Sequence, residues 1–292
     1  MKQDFINHIK TQKKYAQHTL EAYQRDLDHL ELYLLNSFET TLADAGPDML
    51  RSWIVQLVEH DYAKSSIQRK LSSAKSFYNF LINRGGITKN PAKLIKIPGK
   101  EKKLPVFLTE NQTELLTREE HFADSFEGLR DRLIIEMLYQ TGMRRAELVA
   151  LEEKSIDFYN QTLKVTGKRN KQRIIPLNKK LLSLVNKYTD LRGDFIKENI
   201  TDAFFVTKKG EAIYSKLVYR VVNHYLQQVS TATKKSPHVL RHTFATHMLN
   251  NGADINAVKE ILGHSSLAAT QVYTHNTIDK IKLIYKQAHP RA

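Results

Sequence analysis

The chain has 292 residues, so two domains with separate cores are the first expectation. It has no cysteine, which excludes disulfides, thiolate nucleophiles and cysteine-ligated zinc. A formal net charge of +14 favours a polyanionic partner, because clustered lysine and arginine side chains displace the counterions of phosphates. The apolar runs are far shorter than the roughly 18 residues that suggest a membrane span, and Asp4 and Lys10 interrupt the start where a signal peptide would be apolar. We therefore expect a cytoplasmic protein.

The first part of the chain, from Met1 to about Asn90, predicts helices throughout. After Thr19 the apolar residues recur at three- and four-residue steps, namely Leu20, Tyr23, Leu27, Leu30 and Leu34. Pro47 suits the first turn of the next helix. A third helix begins near Ser65 and ends at Gly85-Gly86. Its polar residues are expected on the outer faces, either as a solvated surface or as a face for a DNA major groove: Gln68, Arg69, Ser72, Ser73 and Lys75.

Residues 93–104 predict an extended linker, because the segment holds five lysines and Pro98, is followed by Pro105, and has little apolar content. Such a segment is either a simple tether or a basic strap between two domains that close around a rod of negative charge. The predicted organisation is a helical, DNA-binding domain at 1–92, this linker, and a second domain at 105–292.

The second domain mixes helices with short strands. Leu129, Leu133 and Met137 mark a helix that stops at Thr141-Gly142, and a short helix follows through Leu148. The run TLKVTGKRNKQRIIPL then has β-branched or alternating residues on both sides of a polar turn, which is typical of a β-hairpin. The run AFFVTKKGEAI predicts a second hairpin, and helices resume at about Ser215.

A possible phosphate site lies in the segment SPHVLRHTFATHMLNNG. His238 and Arg241 are three residues apart on a predicted helix, so both side chains emerge on one face. A guanidinium offers a planar fork of donors to phosphate oxygens, and an imidazole donates to phosphate or exchanges a proton. The alternative is a structural histidine. A zinc site is not expected, since His242 and His247 are five apart rather than four and no glutamate lies between them.

A candidate nucleophile follows in ILGHSSLAATQVYTH, where His264 precedes Tyr273 by nine residues. Tyrosine forms covalent intermediates, but its unperturbed pKa of about 10 requires cationic or proton-accepting neighbours.

These motifs together resemble those of the tyrosine recombinases of the phage-integrase family, and most closely the cellular Xer recombinases. The resemblance covers essentially the whole chain and rests on four boxes in order, TGMRRAEL, TGKRNKQRIIPL, HVLRHTFATHML and LGHSSLAATQVYTH. It implies a mainly α fold of two domains, an all-helical SAM-like core-binding domain and a mixed α/β catalytic domain with short β-hairpins. In the family the two domains form a C-shaped clamp around DNA.

The resemblance also implies the catalytic residues and the reaction. The family's positions fall on Arg144, Lys168, His238, Arg241, His264 and the nucleophile Tyr273. The product would be a 3′-phosphotyrosyl link that a 5′-hydroxyl reseals, with no metal ion, no nucleotide and no other cofactor. Two departures leave alternatives open. Arg145 follows Arg144 where relatives often have a small or aliphatic residue, and the turn GKGNK is here GKRNK, so Lys171 rivals Lys168.

Partners and biological role follow from the same resemblance. We expect double-stranded DNA sites, a tetramer of identical or paired recombinase subunits, a possible activating accessory protein, and no membrane. The tail IDKIKLIYKQAHPRA is expected to dock on a neighbouring subunit, as in the family, or to pack on its own domain. Dimer resolution is the expected role. The rivals are a mobile-element integrase, a type IB topoisomerase-like nicking and resealing enzyme, and a DNA-binding regulator that has lost catalysis.

Overall fold

The computed structural model describes residues 1–97, 106–167, 170–196, 201–231, 235–263 and 275–291, and of 275–280 only the helical backbone. The chain divides into two compact units, Met1–Lys103 and Leu104–Ala292, called here the N-terminal and C-terminal units. Each has its own hydrophobic core. In the described ranges, no helix is both long enough and apolar enough to cross a membrane.

Within residues 1–97, four helices build the N-terminal unit, and their apolar stripes form its core as the sequence predicted. They are α1 (Lys2–Thr11), α2 (Gln17–Phe38), α3 (Pro47–Glu59) and α4 (Lys64–Asn83). Pro47 occupies the first turn of α3, where its missing N–H costs nothing. Trp53 and Tyr78 are fully buried between the helices.

One prediction about α4 is wrong. Ser73, expected on an outer face, is buried, and its hydroxyl donates to Asp26 at 2.8 Å. Asp26 of α2 is itself buried and also bonds the guanidinium of Arg69. A buried carboxylate needs donors, so it draws one serine inward from a surface that periodicity alone would leave in solvent. Arg69 and Ser72 remain exposed, as expected.

The C-terminal unit combines helices with one small sheet. Its elements are α5 (Glu110–Leu116), α6 (Phe126–Thr141), α7 (Arg145–Val149), β1 (Ile156–Asp157), β2 (Thr162–Thr166), β3 (Gln172–Pro176), α8 (Lys179–Phe195), α9 (Ser215–Val229), α10 (Pro237–Asn250), α11 (Ile255–Leu262) and α12 (His275–Ala288). The strands form an antiparallel sheet in the order β1-β2-β3. The predicted first hairpin is confirmed as β2 and β3, whose register runs from Thr162↔Pro176 to Thr166↔Gln172.

The second predicted hairpin is present as a short antiparallel pairing, with hydrogen bonds from Thr207 N–H to the Glu211 carbonyl and from Ile213 N–H to the Phe205 carbonyl. Between 203 and 213 the chain makes a turn with an isolated antiparallel bridge, Val206↔Ala212. Phe204, Phe205 and Val206 are all buried in succession, and the first two lie against Tyr188 of α8. A half-buried strand alternates its faces, so three consecutive buried side chains depart from that pattern, and the pairing extends no further than this bridge.

Helix α6 is the centre of the C-terminal unit and fixes the start of the site. It is buried on nearly all sides, and it ends at Gly142, whose φ of 59° is left-handed. A Cβ at Gly142 would lie 2.5 Å from the Phe244 ring, so only glycine fits. The chain then turns directly into Arg144 and α7. Helix α8 was not among the predicted elements, although Leu181, Leu184 and Tyr188 recur on it with helical spacing.

The C-terminal helix α12 packs on its own unit. Ile281, Tyr285 and Ala288 belong to the core of the C-terminal unit. Beyond the helix, the guanidinium of Arg291 donates to Glu136 of α6 at 2.7 Å. In the single chain the tail therefore packs on its own domain, and docking on a neighbouring subunit stays a prediction.

Candidate active site

Arg144 lies immediately before α7 and is anchored by the first turn of that helix. Its backbone N–H donates to Glu147 Oε2 at 2.7 Å, and its guanidinium Nη1 donates to Glu147 Oε1 at 2.8 Å. The side chain of Arg144 is 39% exposed, whereas that of Glu147 is 4% exposed. Glu147 thus fixes one end of the Arg144 guanidinium, while the rest of the group remains accessible to a ligand.

Arg241 and His238 share one face of α10, as predicted. Arg241 is buried, and its Nη1 and Nη2 donate to the carbonyls of Gly142 at 2.6 Å and Leu262 at 2.7 Å. Burial, followed by the nearby charges of Arg144 and Arg173, lowers the pKa of Arg241 to about 10. The guanidinium is therefore still charged near neutral pH.

His238 is solvent-accessible at the start of α10 and lies among cationic neighbours. Partial burial lowers its pKa, and the charges of His242, Arg145, Arg241 and Arg144 lower it further. The imidazole is consequently neutral at pH 7. A neutral imidazole can accept a proton.

The C-terminal end of α11 gathers three arginines. The carbonyl of Ile261 accepts from Arg173 Nε at 2.7 Å, and the next carbonyl, of Leu262, accepts from Arg241. The carbonyl of Gly263 accepts from Arg144 Nη2 at 3.4 Å. The last carbonyls of a helix have no intrahelical partner and carry the negative end of its dipole, so they suit cationic donors. The helix end therefore brings Arg144 and Arg241 together from two distant segments.

Two members of this cluster, Glu147 and Arg173, were missed by the sequence analysis. Both are buried and form a bidentate ion pair, with Arg173 Nη2 donating to Glu147 Oε2 at 2.7 Å. A signal for Arg173 existed: it lies on β3 two residues before the buried Ile175, so it occupies the inward face of the strand. A charge at an inward strand position indicates a buried partner.

Lys168, His264 and Tyr273 lie outside the described residues. Near Lys168, the described Gly167 N–H donates to the Lys171 carbonyl at 2.7 Å and closes the β2–β3 hairpin. Gly263 immediately precedes His264 and has a left-handed φ of 63°. Arg145 is partly exposed in the first turn of α7, and Lys171 is exposed beside the hairpin turn.

Among the described side chains, no group of three or more His, Asp and Glu is arranged to hold a metal ion.

Comparisons with known proteins place these features in a family. Residues 106–279 match the family described as "Phage integrase family", and residues 3–85 match the one described as "Phage integrase, N-terminal SAM-like domain". A curated relative, "Tyrosine recombinase XerC" of Chlorobaculum parvum, is 38% identical over 321 residues, covering 99% of this chain and 94% of its own length. "Tyrosine recombinase XerC" of Pelobacter propionicus is also 38% identical, over 294 residues, with the same coverage.

Solved structures agree with the fold. A XerH site-specific recombinase bound to a palindromic difH substrate, in a post-cleavage complex, matches with a TM-score of 0.73 at 21% identity, covering 97% of this chain and 83% of that one. The Tn1549 transposon integrase bound to circular intermediate DNA matches with a TM-score of 0.71 at 21% identity, covering 96% and 97%. The chain belongs to the phage integrase family of tyrosine recombinases, enzymes that cleave and religate DNA at specific sites. The expected family and fold class are confirmed.

Proposed function

We propose that this chain resolves chromosome or plasmid dimers by site-specific recombination, with Tyr273 attacking a DNA phosphodiester to form a 3′-phosphotyrosyl link. The pocket would consist of Arg144, Lys168, His238, Arg241 and His264. One observation carries the proposal: the guanidiniums of Arg144 and Arg241 converge on adjacent carbonyls at the end of α11. His264 and Tyr273 follow that helix end in the chain.

Charge stabilisation is the main work of such a pocket. Phosphoryl transfer builds negative charge on the phosphate oxygens, and fixed cations aimed at that charge supply the largest part of catalysis. A guanidinium has five N–H donors, so the two bonds of Arg241 to carbonyls fix its plane and leave donors for a phosphate. Arg144 is held by Glu147 in the same way. Because both groups are fixed before DNA arrives, they need little reorganisation during the reaction.

Proton transfers complete the proposed mechanism. The lowered pKa of His238, caused first by partial burial and then by nearby cations, keeps its imidazole neutral, so it can take the tyrosine proton and later return it. Lys168, which comes between β2 and β3 in the sequence, would protonate the departing 5′-oxygen, with Lys171 as the alternative. The phosphotyrosyl link keeps the energy of the broken bond. Resealing by a 5′-hydroxyl therefore needs no ATP.

Dimer resolution is favoured over the other roles by the curated relatives, which carry the name XerC and match this chain along almost its whole length. We propose a tetramer of recombinase subunits on two DNA sites in the cytoplasm, with an accessory activator as a further partner. A mobile-element integrase remains the second candidate, because a transposon integrase shares the fold.

A suicide substrate tests the nucleophile. A duplex nicked near the scissile phosphate loses a short fragment after cleavage, so the covalent adduct accumulates and is visible by denaturing electrophoresis. Wild-type protein should form the adduct, and Tyr273→Phe should bind the same DNA without attaching, because only the phenol oxygen can form the bond. A normal adduct yield from Tyr273→Phe would contradict the assignment.

Mapping the protein on its own chromosome separates the two candidate roles. Dimer resolution predicts one strong site near the replication terminus. Many scattered sites at the ends of mobile elements would favour the integrase.

A further inference from the structure

Arg173 is a buried arginine that the proposed chemistry does not use. It is 4% exposed and lies on the inward face of β3, where its neighbour on the same face is the core residue Ile175. Burying a guanidinium is costly unless its charge is paired and its donors are satisfied. An aliphatic residue would fill this inward position without that cost, so the charge itself needs an explanation.

Three hydrogen bonds hold Arg173 in place. Its Nη1 and Nη2 donate to the carboxylate of Glu147 at 3.1 and 2.7 Å, and its Nε donates to the Ile261 carbonyl at 2.7 Å. The partners lie on α7 and at the end of α11, far from β3 in sequence. Arg173 therefore ties three elements together at one point.

The hydrogen bonds to Glu147 connect Arg173 to Arg144. Glu147 Oε1, which accepts from Arg173, also accepts from Arg144 Nη1 at 2.8 Å, and Oε2 accepts from the Arg144 backbone N–H. Burial opposes ionisation of Glu147, but the hydrogen bonds and charge of Arg173, and then the bonds from Arg144, hold its pKa below the ordinary value. The carboxylate stays charged and holds both guanidiniums in a fixed relation.

The hydrogen bond to the end of α11 connects Arg173 to Arg241. The carbonyl that accepts from Arg173 adjoins the Leu262 carbonyl, which accepts from Arg241, and the Gly263 carbonyl, which accepts from Arg144. A Cβ added at Gly263 would lie 3.2 Å from the Arg173 side chain, so that side chain packs directly against the helix end. Movement of Arg173 would displace the acceptors of both other arginines.

We propose that Arg173 is a positioning residue of the active site. It holds Glu147 and the end of α11, and through them it orients the guanidiniums of Arg144 and Arg241 toward the scissile phosphate without touching DNA. This inference rests on the proposed function, because it takes Arg144 and Arg241 as the pair that binds the phosphate.

The primary test is the variant Arg173→Met in single-turnover cleavage of the suicide substrate, with enzyme in excess over DNA. Small misplacements of catalytic groups have large effects on rate, so adduct formation should slow by about 10- to 100-fold. Affinity for the intact duplex site should stay at the wild-type level, since Arg173 does not contact DNA. A folded Arg173→Met protein that cleaves at the wild-type rate overturns the inference.

Two further variants separate positioning from folding. Arg173→Met leaves Glu147 buried with one partner fewer, which lowers stability. The double variant Arg173→Met/Glu147→Leu removes both charges, so its melting temperature should recover while cleavage stays slow. Arg192→Met is the matched control, because Arg192 is also buried and bonds Glu153 and the Ala203 carbonyl rather than the pocket. It should lose stability but cleave normally at a temperature where it is folded. Slow cleavage by folded Arg192→Met, or normal cleavage by the double variant, would overturn the inference.

A double-mutant cycle tests whether Arg173 acts through Arg144. If it does, Arg173→Met should slow cleavage less in an Arg144→Ala background than in the wild type. Equal effects in both backgrounds would mean that Arg173 acts independently, against the inference. Normal adduct formation by Tyr273→Phe or Arg144→Ala would overturn the proposed function and this inference with it. Normal cleavage by Arg173→Met beside inactive Tyr273→Phe overturns the inference alone.

Discussion

Two adjacent arginines, Arg144 and Arg145, are rivals for one place in the proposed pocket. Arg144 is bonded by Glu147 and reaches the Gly263 carbonyl beside the end of α11. Arg145, in the first turn of α7, contributes to the positive potential that lowers the pKa of His238. The geometry therefore favours Arg144 for the phosphate and Arg145 for an outer contact with the DNA backbone.

The alanine variants at these two positions should differ in kind. Arg144→Ala should raise the cleavage barrier by at least ~2.7 kcal/mol, by analogy with loss of a single oxyanion donor. Arg145→Ala should mainly weaken DNA binding and reduce its salt dependence. Single-turnover cleavage and binding titrations at several salt concentrations measure both effects. The opposite pattern, with only Arg145→Ala inactive, would assign the phosphate contact to Arg145 instead of Arg144.

Sequence reasoning reached part of this site and missed the rest for a physical reason. His238 and Arg241 could be paired in advance, because helical periodicity is local and puts residues three apart on one face. Arg173 and Glu147 are 26 residues apart, and their contact depends on how β3 packs against α7. The burial of Ser73 likewise depends on Asp26, 47 residues away. Long-range polar contacts leave little trace in local spacing.

The two candidate general acids, Lys168 and Lys171, come between β2 and β3 in the sequence. Gly167 donates a backbone hydrogen bond to the Lys171 carbonyl, so Lys171 forms part of the hairpin closure, and Lys168 follows Gly167 in the sequence. A 5′-alkoxide leaves poorly near neutral pH, so a positioned acid matters. We expect Lys168 to be that acid, with Lys171 gripping a phosphate.

A sulfur-containing substrate distinguishes the two lysines. When sulfur replaces the scissile 5′-oxygen, the leaving group needs little protonation, so this substrate should restore much of the cleavage lost in Lys168→Ala. It should not rescue Arg241→Ala, whose defect lies in charge stabilisation. Rescue of Lys171→Ala with no rescue of Lys168→Ala would reverse the assignment.

The tail helix α12 is fixed to its unit by an aromatic cluster around His289. The ring of His289 stacks on Tyr285 at 4.9 Å and lies near Tyr139 and Phe244, and burial lowers its pKa to about 3. In the unfolded chain a histidine side chain has a pKa of about 6.5. Below pH 6.5 the unfolded chain therefore binds a proton that the folded one does not. The stability that the neutral ring provides is present above pH 6.5 and is lost as the pH falls toward 3.

Replacing His289 should flatten this pH dependence. Between pH 7 and pH 5 the C-terminal unit should lose about 2 kcal/mol from this group, since each pKa unit corresponds to about 1.36 kcal/mol. His289→Phe should remove that loss, as measured by urea unfolding followed by circular dichroism. Trp53, the only tryptophan, lies in the N-terminal unit, so its fluorescence transition should not change. His224→Phe on the exposed side of α9 is the control, and a pH dependence in His289→Phe equal to that of the wild type would exclude this explanation.

The elements themselves were predicted well where one face is buried. Apolar stripes at helical spacing identified α2, α3 and α4, and the β2–β3 hairpin followed from alternation around a polar turn. The segment 203–213 was predicted as a second hairpin, and its backbone does pair antiparallel, but only over a single bridge. Its aromatic side chains pack in the core around Tyr188, so the segment is buried beyond what an alternating strand predicts.

The whole chain carries a net positive charge, and the proposed pocket holds two fixed guanidiniums, so both features bear on metal dependence. Its net charge of +14 attracts DNA by displacing counterions, so added magnesium should compete with the protein and weaken binding. In the proposed pocket, Arg144 and Arg241 supply the charge that a metal ion supplies in other phosphoryl-transfer enzymes. Adduct formation on the suicide substrate should therefore proceed at its normal rate in EDTA and without ATP. A magnesium-dependent nuclease in the same buffer controls for complete chelation. If adduct formation stops in EDTA and returns only with magnesium, guanidinium charge alone does not account for the cleavage step, and the pocket needs a further cation.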